Sequence, residues 1–389
     1  KKEGEKGDHN YSKALEKNDQ NLAVAKIQEY LDKGQNVPLN IAVTGETGSG
    51  KSSFVNAIRG IDNKDEKAAA TGCVETTMEV TSYPHPNYPN VIFWDLPGIG
   101  STNFPAAKYL KMVGFEKFDF FIIISADRFR ENDLKLAKEI QRMEKKFYFV
   151  RSKIDDNIQC SFDINAVINF EYYFLSIYIY CIYINIPQKV FLVSSVDLTL
   201  YDFPLLVETL KEELPELKKE AFVLAMPNIS LDMIKKKKKA FQAKVKYFAI
   251  LSAGVGAVPV PGVSVAVDTA LLVGVVTKYV LGFGLDIPSL KRMANYSGVP
   301  YEELMEVIKS TLIAVKVTPE LLLRLLVQFS SLAVLLAAEE GTRFIPIVGI
   351  PISMGLSFTF TYRSLNMILD MLADDAEKVF ARVHLNTTG

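Results

Sequence analysis

The feature that most constrains this chain is the stretch GETGSGKS at residues 45–52. It satisfies every fixed position of the G-x-x-x-x-G-K-[ST] phosphate-binding pattern. An apolar run at residues 39–43 precedes it, and an amphipathic run at residues 53–59 follows it. These flanks predict the buried strand and the helix between which such a loop cradles phosphate groups. We therefore expect an α/β domain with a P-loop.

Each residue type in this loop has a physical role. Gly45, Gly48 and Gly50 permit backbone conformations that other residues avoid, so successive amide N–H groups can point at phosphate oxygens. Lys51 is expected to contact the β- and γ-phosphates as a point charge, and the Ser52 hydroxyl to ligate Mg²⁺. The loop residues that complete the predicted phosphate site are Glu46, Ser49 and Ser53. The expected ligand is a nucleoside triphosphate with Mg²⁺.

Length and composition narrow the class of protein. A chain of 389 residues exceeds one ordinary core, which predicts two domains. The net charge of −1 gives no reason to expect a nucleic-acid partner. Cys73, Cys160 and Cys181 are odd in number and lack metal-ligand spacing, which is typical of a reducing compartment. The charged first residues, KKEGEKGDH, do not resemble a secretory signal.

From residue 38 the pattern alternates between short apolar runs and polar amphipathic segments such as residues 131–146. This alternation predicts a mostly parallel sheet covered on both faces, with ligands at the carboxyl ends of the strands. The apolar runs that predict the strands are residues 39–44, 91–94, 118–124, 147–150 and 190–193.

Helical patterns lie on either side of this region, at residues 12–33 and from residue 214 onward. We expect residues 38–212 to form the nucleotide domain. Residues 1–37 are expected to form a helical segment that packs with a C-terminal all-α domain at residues 213–389.

Two further motifs would complete the nucleotide site. In the D-x-x-G pattern, Asp95 would reach Mg²⁺ through water and the Gly98 amide would sense the γ-phosphate.

Strand 147–150 is followed by SKID, a variant of [NT]-K-x-D. Asp155 can accept two hydrogen bonds from guanine that adenine cannot offer, which favours GTP over ATP, and the Lys153 stem would pack on the base. An ATP-dependent machine would require Asp155 to be incidental.

The remaining site candidates lie on two loops. After the fifth strand, Ser194 and Ser195 would supply a backbone contact to the guanine oxygen. A small-residue loop at residues 68–77 should contain a threonine that completes the Mg²⁺ shell, and Thr71 and Thr77 are the candidates. Gly72 lies beside them in the predicted nucleotide site.

Some segments allow more than one interpretation. Residues 247–267 and 344–360 are apolar but interrupted by glycine and proline, so they could form buried hairpins, a reversibly inserting surface or a transmembrane element. The lysine run 235–239 is either a solvated face or a contact for anionic lipid. Residues 164–186 are aromatic and β-branched where an amphipathic surface helix is expected.

The motifs GETGSGKSS, ATGCVETTMEV, FWDLPGIGSTNFP, DFFIIISADRF and FYFVRSKID, in this order, resemble those of the interferon-inducible, immunity-related GTPases with lysine in the phosphate loop. The resemblance continues through YDFPLLVETL and LAMPNIS, over residues 12–385, and is weakest at residues 164–186.

The resemblance implies a dynamin-like, self-assembling GTPase of cell-autonomous immunity that gathers on pathogen vacuoles and other endomembranes. It also implies a helical domain built from both chain ends and a catalytic dimer through the nucleotide face. By matching position, Glu46 and Glu75 would lie at that interface, and Lys51, Glu75 and Thr77 are the expected catalytic residues. The expected location is cytoplasmic, with peripheral attachment to intracellular membranes.

The residue after D-x-x-G supports a dimer independently. Ile99 stands where many small GTPases carry a water-orienting glutamine, and its side chain cannot polarise water. Either hydrolysis is slow or a second subunit completes the site. Arg59, Arg128 and Arg130 are the nearby arginines in sequence, and none is marked as a catalytic finger. The alternative function is a non-hydrolysing GTP switch or membrane scaffold that recruits partners.

Overall fold

The computed structural model divides the chain into two compact units, which are described separately. One unit comprises Val37–Ile229, and the other comprises Lys1–Asn36 together with Ser230–Gly389. The structure describes residues 20–71, 79–99, 106–126, 130–155, 190–255, 263–313, 317–322, 324–325 and 352–387. The expectation for residues 164–186 lies outside these residues.

The first unit is built on a sheet of six strands within the described residues, in the order β2-β3-β1-β4-β5-β6. All neighbouring pairs are parallel except β2 and β3, which are antiparallel. The strands are β1 Leu39–Gly45, β2 Thr81–Pro84, β3 Val91–Asp95, β4 Phe120–Ser125, β5 Lys146–Arg151 and β6 Val190–Leu192. The predicted α/β fold with a mostly parallel sheet is therefore confirmed.

The register explains why functional residues meet at one edge. Val43 of β1 pairs with Asp95 of β3, and Gly45 pairs with Ile124 of β4. Because these strands are parallel, their carboxyl ends lie side by side. β1, β4 and β5 are almost entirely buried, which is why their sequences are continuous apolar runs rather than alternating ones.

The helices of this unit pack on the sheet and on each other. One core cluster joins Tyr109, Leu110 and Ile140 to the sheet residues Phe121 and Phe149. Elsewhere in the unit, two helices meet where the rings of Phe54 and Phe203 lie 5.9 Å apart. The helices are α1 Gln20–Asn36 in the other unit and, here, α2 Lys51–Ile58, α3 Ala106–Val113, α4 Glu131–Arg142, α5 Phe203–Glu212 and α6 Glu216–Ala225.

Helix α6 belongs to the sheet unit, so the structural division falls after Ile229 rather than after residue 212. An ion pair joins it to the sheet: Lys218 Nζ of α6 lies 2.5 Å from Asp119 Oδ1, in the turn before β4. The other oxygen of Asp119 accepts a hydrogen bond from the Asn40 N–H of β1. The carboxylate thus fastens α6 to the amino-terminal edge of the sheet.

The second unit is helical and combines both chain ends. Helix α1 packs against α7, where the rings of Tyr30 and Tyr247 are 5.0 Å apart. Helix α7 contacts α11 through the Ser252 and Thr361 hydroxyls, 3.1 Å apart. The helices that follow α6 are α7 Leu231–Val255, α8 Val263–Gly282, α9 Ile287–Ser297, α10 Tyr301–Glu306 and α11 Ile352–Thr387.

The lysine run is not a uniform solvated or lipid-facing surface. Lys237 is only 2% exposed, and its ammonium donates a hydrogen bond of 2.7 Å to the Gly282 carbonyl at the end of α8. Burial lowers the pKa of Lys237 to about 7. Lys238 pairs with Asp370 of α11 at 2.7 Å. The run therefore contributes one side chain to the helical core and another to an ion pair on its surface.

One helical stretch among the described residues, Ala270–Ser297, meets the length and composition requirements of a membrane span. Core helices of soluble proteins meet the same requirements, and 44% of its most apolar window is buried. α8 ends at Gly282 and α9 begins at Ile287, so a turn interrupts the stretch. Residues 256–262 of the first apolar segment and residues 344–351 of the second lie outside the described part of the chain.

Candidate nucleotide-binding site

The loop between β1 and α2 has a backbone that only glycine tolerates at its critical positions. Gly45, Gly48 and Gly50 have φ angles of 143°, 79° and 88°. A Cβ atom on Gly45 would lie 2.0 Å from the carbonyl oxygen of Ile124, and one on Gly50 would lie 3.3 Å from Ser152 Oγ. The loop is therefore curled tightly against β4 and the segment after β5, with Gly50 as the N-cap of α2.

The charged and hydroxyl groups of the loop meet the end of β3. Lys51 is 8% exposed, and its ammonium donates to the Glu46 carbonyl at 2.9 Å. The Ser52 hydroxyl donates to Asp95 Oδ2 at 2.7 Å, and Asp95 is fully buried. A hydroxyl beside a carboxylate is a hard-oxygen donor set that suits Mg²⁺. No cluster of three or more His, Cys, Asp or Glu that could hold a metal ion occurs in the described ranges.

The segment after Asp95 is held on both sides of Gly98. The Tyr109 hydroxyl on α3 donates to the Pro97 carbonyl at 2.8 Å. The Asn132 amide on α4 donates to the Ile99 carbonyl at 2.9 Å. The Ile99 side chain is fully buried in the core cluster beneath the sheet edge. Sequence reasoning missed both anchors, because neither side chain belongs to a nucleotide-binding pattern.

The SKID segment is fastened to the phosphate loop. The Ser152 hydroxyl donates to the Ser49 carbonyl at 2.5 Å. Lys153 is exposed and adopts a φ of 58°, and its stem passes 3.9 Å from the position of a Gly50 Cβ. Asp155 is half-buried two residues later. Serine at position 152 thus ties the predicted base-binding segment to the predicted phosphate-binding loop, a contact that the sequence analysis missed.

The loop after β6 lies beside this segment. The Ile154 N–H donates to the Val193 carbonyl at 3.5 Å. Ser194 Oγ accepts hydrogen bonds from the N–H groups of Val196 and Asp197, at 3.0 and 3.2 Å. The Ser194 side chain therefore shapes its own loop, which leaves the backbone of Ser194 and Ser195 as the predicted contact to guanine.

An ion pair lies next to the phosphate loop. Arg130 Nε is 2.9 Å from Glu46 Oε2, with 56% of the arginine side chain and 19% of the glutamate side chain exposed. The Arg130 N–H donates to Asp133 Oδ2 at 2.8 Å, in a capping arrangement at the start of α4. Burial raises the pKa of Asp133 to about 7, opposed by that hydrogen bond and by the Lys51 charge. Nothing in the sequence indicated the pairing of Arg130 with Glu46.

Arg59 has a structural role. It is 4% exposed, and its guanidinium donates to the carbonyls of Pro84 and Lys67 and lies over the Tyr83 ring, 5.2 Å from the centroid. A guanidinium used in this way is not available as a catalytic finger. Arg128 lies outside the described residues.

The loop that should carry the switch threonine is described only in part. Asn56 of α2 holds its start through hydrogen bonds of 2.9 and 2.6 Å with the Ala69 backbone, and Thr71 is exposed two residues later. Gly72, Glu75 and Thr77 lie outside the described residues. Their roles stay predictions.

The strand order, the curled glycine loop, and the Ser52–Asp95 contact beside a fastened SKID segment define the P-loop GTPase class of nucleotide-hydrolysing enzymes. The profile of the interferon-inducible GTPase (IIGP) family matches residues 7–383. The chain belongs to the interferon-inducible GTPase family, as the order of its motifs predicted.

Individual relatives cover most of the chain. It is 40% identical to interferon-inducible GTPase 5 of Rattus norvegicus over 373 residues, which are 94% of this chain and 80% of the relative. It is 41% identical to interferon-inducible GTPase 1 of Mus musculus over 295 residues, 74% of this chain and 71% of the relative. Among solved structures, the G domain of the T. maritima FeoB iron transporter is 20% identical, with coverage of 45% and 98% and a TM-score of 0.29.

Proposed function

We propose that this GTPase binds Mg·GTP in the loop at residues 45–52, hydrolyses it to GDP as a dimer formed across the nucleotide face, and assembles on intracellular membranes in cell-autonomous innate immunity. The observation that carries the nucleotide part is the 2.7 Å contact between Ser52 and Asp95, next to the buried Lys51 ammonium. The immune and membrane parts rest on the family resemblance.

The phosphate end of the nucleotide would lie on the amides of the curled loop and the amino terminus of α2. Lys51 would leave the Glu46 carbonyl for the β- and γ-phosphates, and the Gly98 N–H would donate to the γ-phosphate. Mg²⁺, held by Ser52 and through water by Asp95, would neutralise charge on the phosphate oxygens, with Thr71 or Thr77 as a further ligand.

The base end would lie over the SKID segment. Asp155 would accept the two donors of guanine, and the Lys153 stem would cover the base. The Lys153 stem lies 3.9 Å from the position that a Cβ atom on Gly50 would occupy, and this closeness to the phosphate loop supports the proposal. Ser194 and Ser195 would offer a backbone N–H to the guanine oxygen, on a loop that the Ser194 hydroxyl already holds in shape.

A dimer is proposed because Ile99 cannot serve as the water-orienting residue. Its side chain is fully buried, and its carbonyl is occupied by Asn132. The missing group would come from a second copy facing the nucleotide, where Glu46 and Glu75 are expected by matching position. Glu46 already lies at the phosphate loop, paired with the largely exposed Arg130. Charged groups on an exposed rim of the site favour such an interface.

Turnover at several protein concentrations tests the dimer. We expect GTP hydrolysis per molecule to rise with protein concentration until the dimer is saturated, because each subunit completes the site of the other. A rate per molecule that stays constant from dilute to concentrated protein would show that one chain hydrolyses GTP by itself.

The membrane part has its own experiment. We propose a cytoplasmic protein attached peripherally to intracellular membranes, through the apolar segments at residues 247–267 and 344–360. Flotation with anionic liposomes should recover more protein with a non-hydrolysable GTP analogue than with GDP. Equal recovery with both nucleotides would contradict nucleotide-controlled attachment, and resistance to alkaline extraction would indicate a permanent membrane element.

A further inference from the structure

A hydrogen-bonded chain runs from the end of β1 to the D-x-x-G segment. The Tyr109 hydroxyl lies 2.8 Å from the Pro97 carbonyl oxygen and 3.0 Å from Thr44 Oγ1. Thr44 is fully buried, and Tyr109 is 6% exposed. A phenol has one proton, and a carbonyl oxygen can only accept. Tyr109 therefore donates to Pro97, and Thr44 donates to Tyr109.

The carbonyl of Pro97 and the N–H of Gly98 belong to the same peptide unit. The described chain has no cis peptide bond, and in a trans peptide these two groups point in opposite directions. The hydrogen bond from Tyr109 directs the carbonyl into the core cluster, to which Tyr109 and Ile99 both belong. It thereby directs the Gly98 N–H away from that core.

We propose that Tyr109 is a positioning residue for the γ-phosphate. Its hydroxyl holds the Pro97–Gly98 peptide in the orientation in which the Gly98 N–H donates to the third phosphate, and so strengthens the binding of GTP relative to that of GDP. This inference rests on the proposed function, specifically on the contact between Gly98 and the γ-phosphate. GDP has no atom at that position, so the hydroxyl should have little influence on GDP binding.

Two physical properties suit Tyr109 to this role. A hydrogen bond to the carbonyl polarises the whole amide, so it strengthens the N–H donor at the opposite end of the same peptide. Burial raises the pKa of Tyr109 well above its usual range, so the phenol remains a proton donor throughout the physiological range. The ring packs in the core regardless of the hydroxyl, so phenylalanine separates the hydrogen bond from the packing.

The test compares nucleotide affinities of Tyr109→Phe and the unsubstituted chain by calorimetry, with GDP and with a non-hydrolysable GTP analogue, both with Mg²⁺. We expect the analogue to bind about tenfold more weakly to the variant, the effect of losing about one hydrogen bond, while GDP affinity changes by less than about twofold. Tyr88→Phe is the matched control. Tyr88 lies in the same unit, and its hydroxyl has no hydrogen-bond partner in the described structure.

Each outcome separates the role of Tyr109 from the proposed function. Failure of the unsubstituted chain to bind either nucleotide would refute the proposed function itself. If the unsubstituted chain binds both nucleotides and Tyr109→Phe has the same ratio of GTP-analogue affinity to GDP affinity, the positioning role alone would be refuted. Parallel weakening of both nucleotides would show a purely structural role and refute it as well. If Tyr109→Phe does not fold, 3-fluorotyrosine at position 109 replaces it as the test, because this residue is a stronger donor of similar size. It should raise the ratio of GTP-analogue affinity to GDP affinity. An unchanged ratio would refute the role.

Discussion

The unsubstituted chain should lose stability as the pH rises because its buried Asp133 ionises, and replacing Asp133 by asparagine should remove this loss. Burial raises the pKa of Asp133 from an ordinary value of 3.8 to about 7. Between these values the folded chain holds a proton that the unfolded chain has released. The free energy of unfolding therefore falls as the pH rises, by up to about 1.4 kcal/mol per unit. From about pH 5 to pH 7 the loss is roughly 2 to 3 kcal/mol, and it levels off above the folded pKa.

Asparagine keeps the shape of the side chain and an oxygen that can accept from the Arg130 N–H, but it cannot ionise. Urea unfolding of the nucleotide-free protein, at several values between about pH 5 and pH 8, gives both stability profiles. We expect the free energy of unfolding of Asp133→Asn to rise relative to that of the unsubstituted chain, by roughly 2 to 3 kcal/mol from about pH 5 to pH 7. Glu66→Gln, at an exposed position, is the control and should follow the unsubstituted chain. Parallel profiles for Asp133→Asn and the unsubstituted chain would refute the reasoning.

Two other substitutions give distinct expectations. Ser152→Ala removes the 2.5 Å tie to Ser49, so it should weaken GTP and GDP binding alike, by about two- to tenfold in calorimetry. A loss confined to GTP would contradict a tie between the base and phosphate segments. Arg59→Met leaves the carbonyls of Pro84 and Lys67 without their donor, so the free energy of unfolding should drop by about 2 kcal/mol. The kcat for GTP should stay unchanged, and a kcat loss without destabilisation would show that Arg59 takes part in catalysis.

The parts of the site that the sequence predicted are those set by contiguous residues or by strand topology. Gly45 and Gly50 were predictable because a phosphate loop requires positive φ at fixed spacing. The meeting of Ser52 and Asp95 was predictable too, although the two residues belong to separate motifs. Asp95 ends β3 and Ser52 comes after the loop that follows β1, and the carboxyl ends of neighbouring parallel strands share one edge.

The contacts that the sequence did not predict join side chains from elements that are distant in the chain. Neither the Tyr109 hydroxyl nor Arg130 belongs to a motif that names its partner, and which carbonyl or carboxylate each one meets depends on how α3 and α4 pack on the sheet. Helix α6 lies in the sheet unit for the same reason, because tertiary contacts such as the Lys218–Asp119 ion pair, rather than its own sequence pattern, decide which unit it joins.

The buried lysine could have been found from the sequence. Lys237 lies four residues before Phe241 and three after Ile234, both buried on α7, so helical periodicity places it on the core face. Consecutive residues of a helix point to different faces, so a run of five lysines does not by itself indicate one charged surface.

The central claim is that the curled loop at residues 45–52 binds the phosphates of GTP, and calorimetry of Lys51→Ala tests it most directly. The substitution removes the buried ammonium and leaves the glycine geometry intact, while Lys67→Ala, at an exposed position, serves as the control. We expect GTP to bind the unsubstituted chain and the control equally and Lys51→Ala at least about a hundredfold more weakly, since charge-assisted contacts to phosphate are lost. Equal GTP affinity for all three proteins would contradict the account.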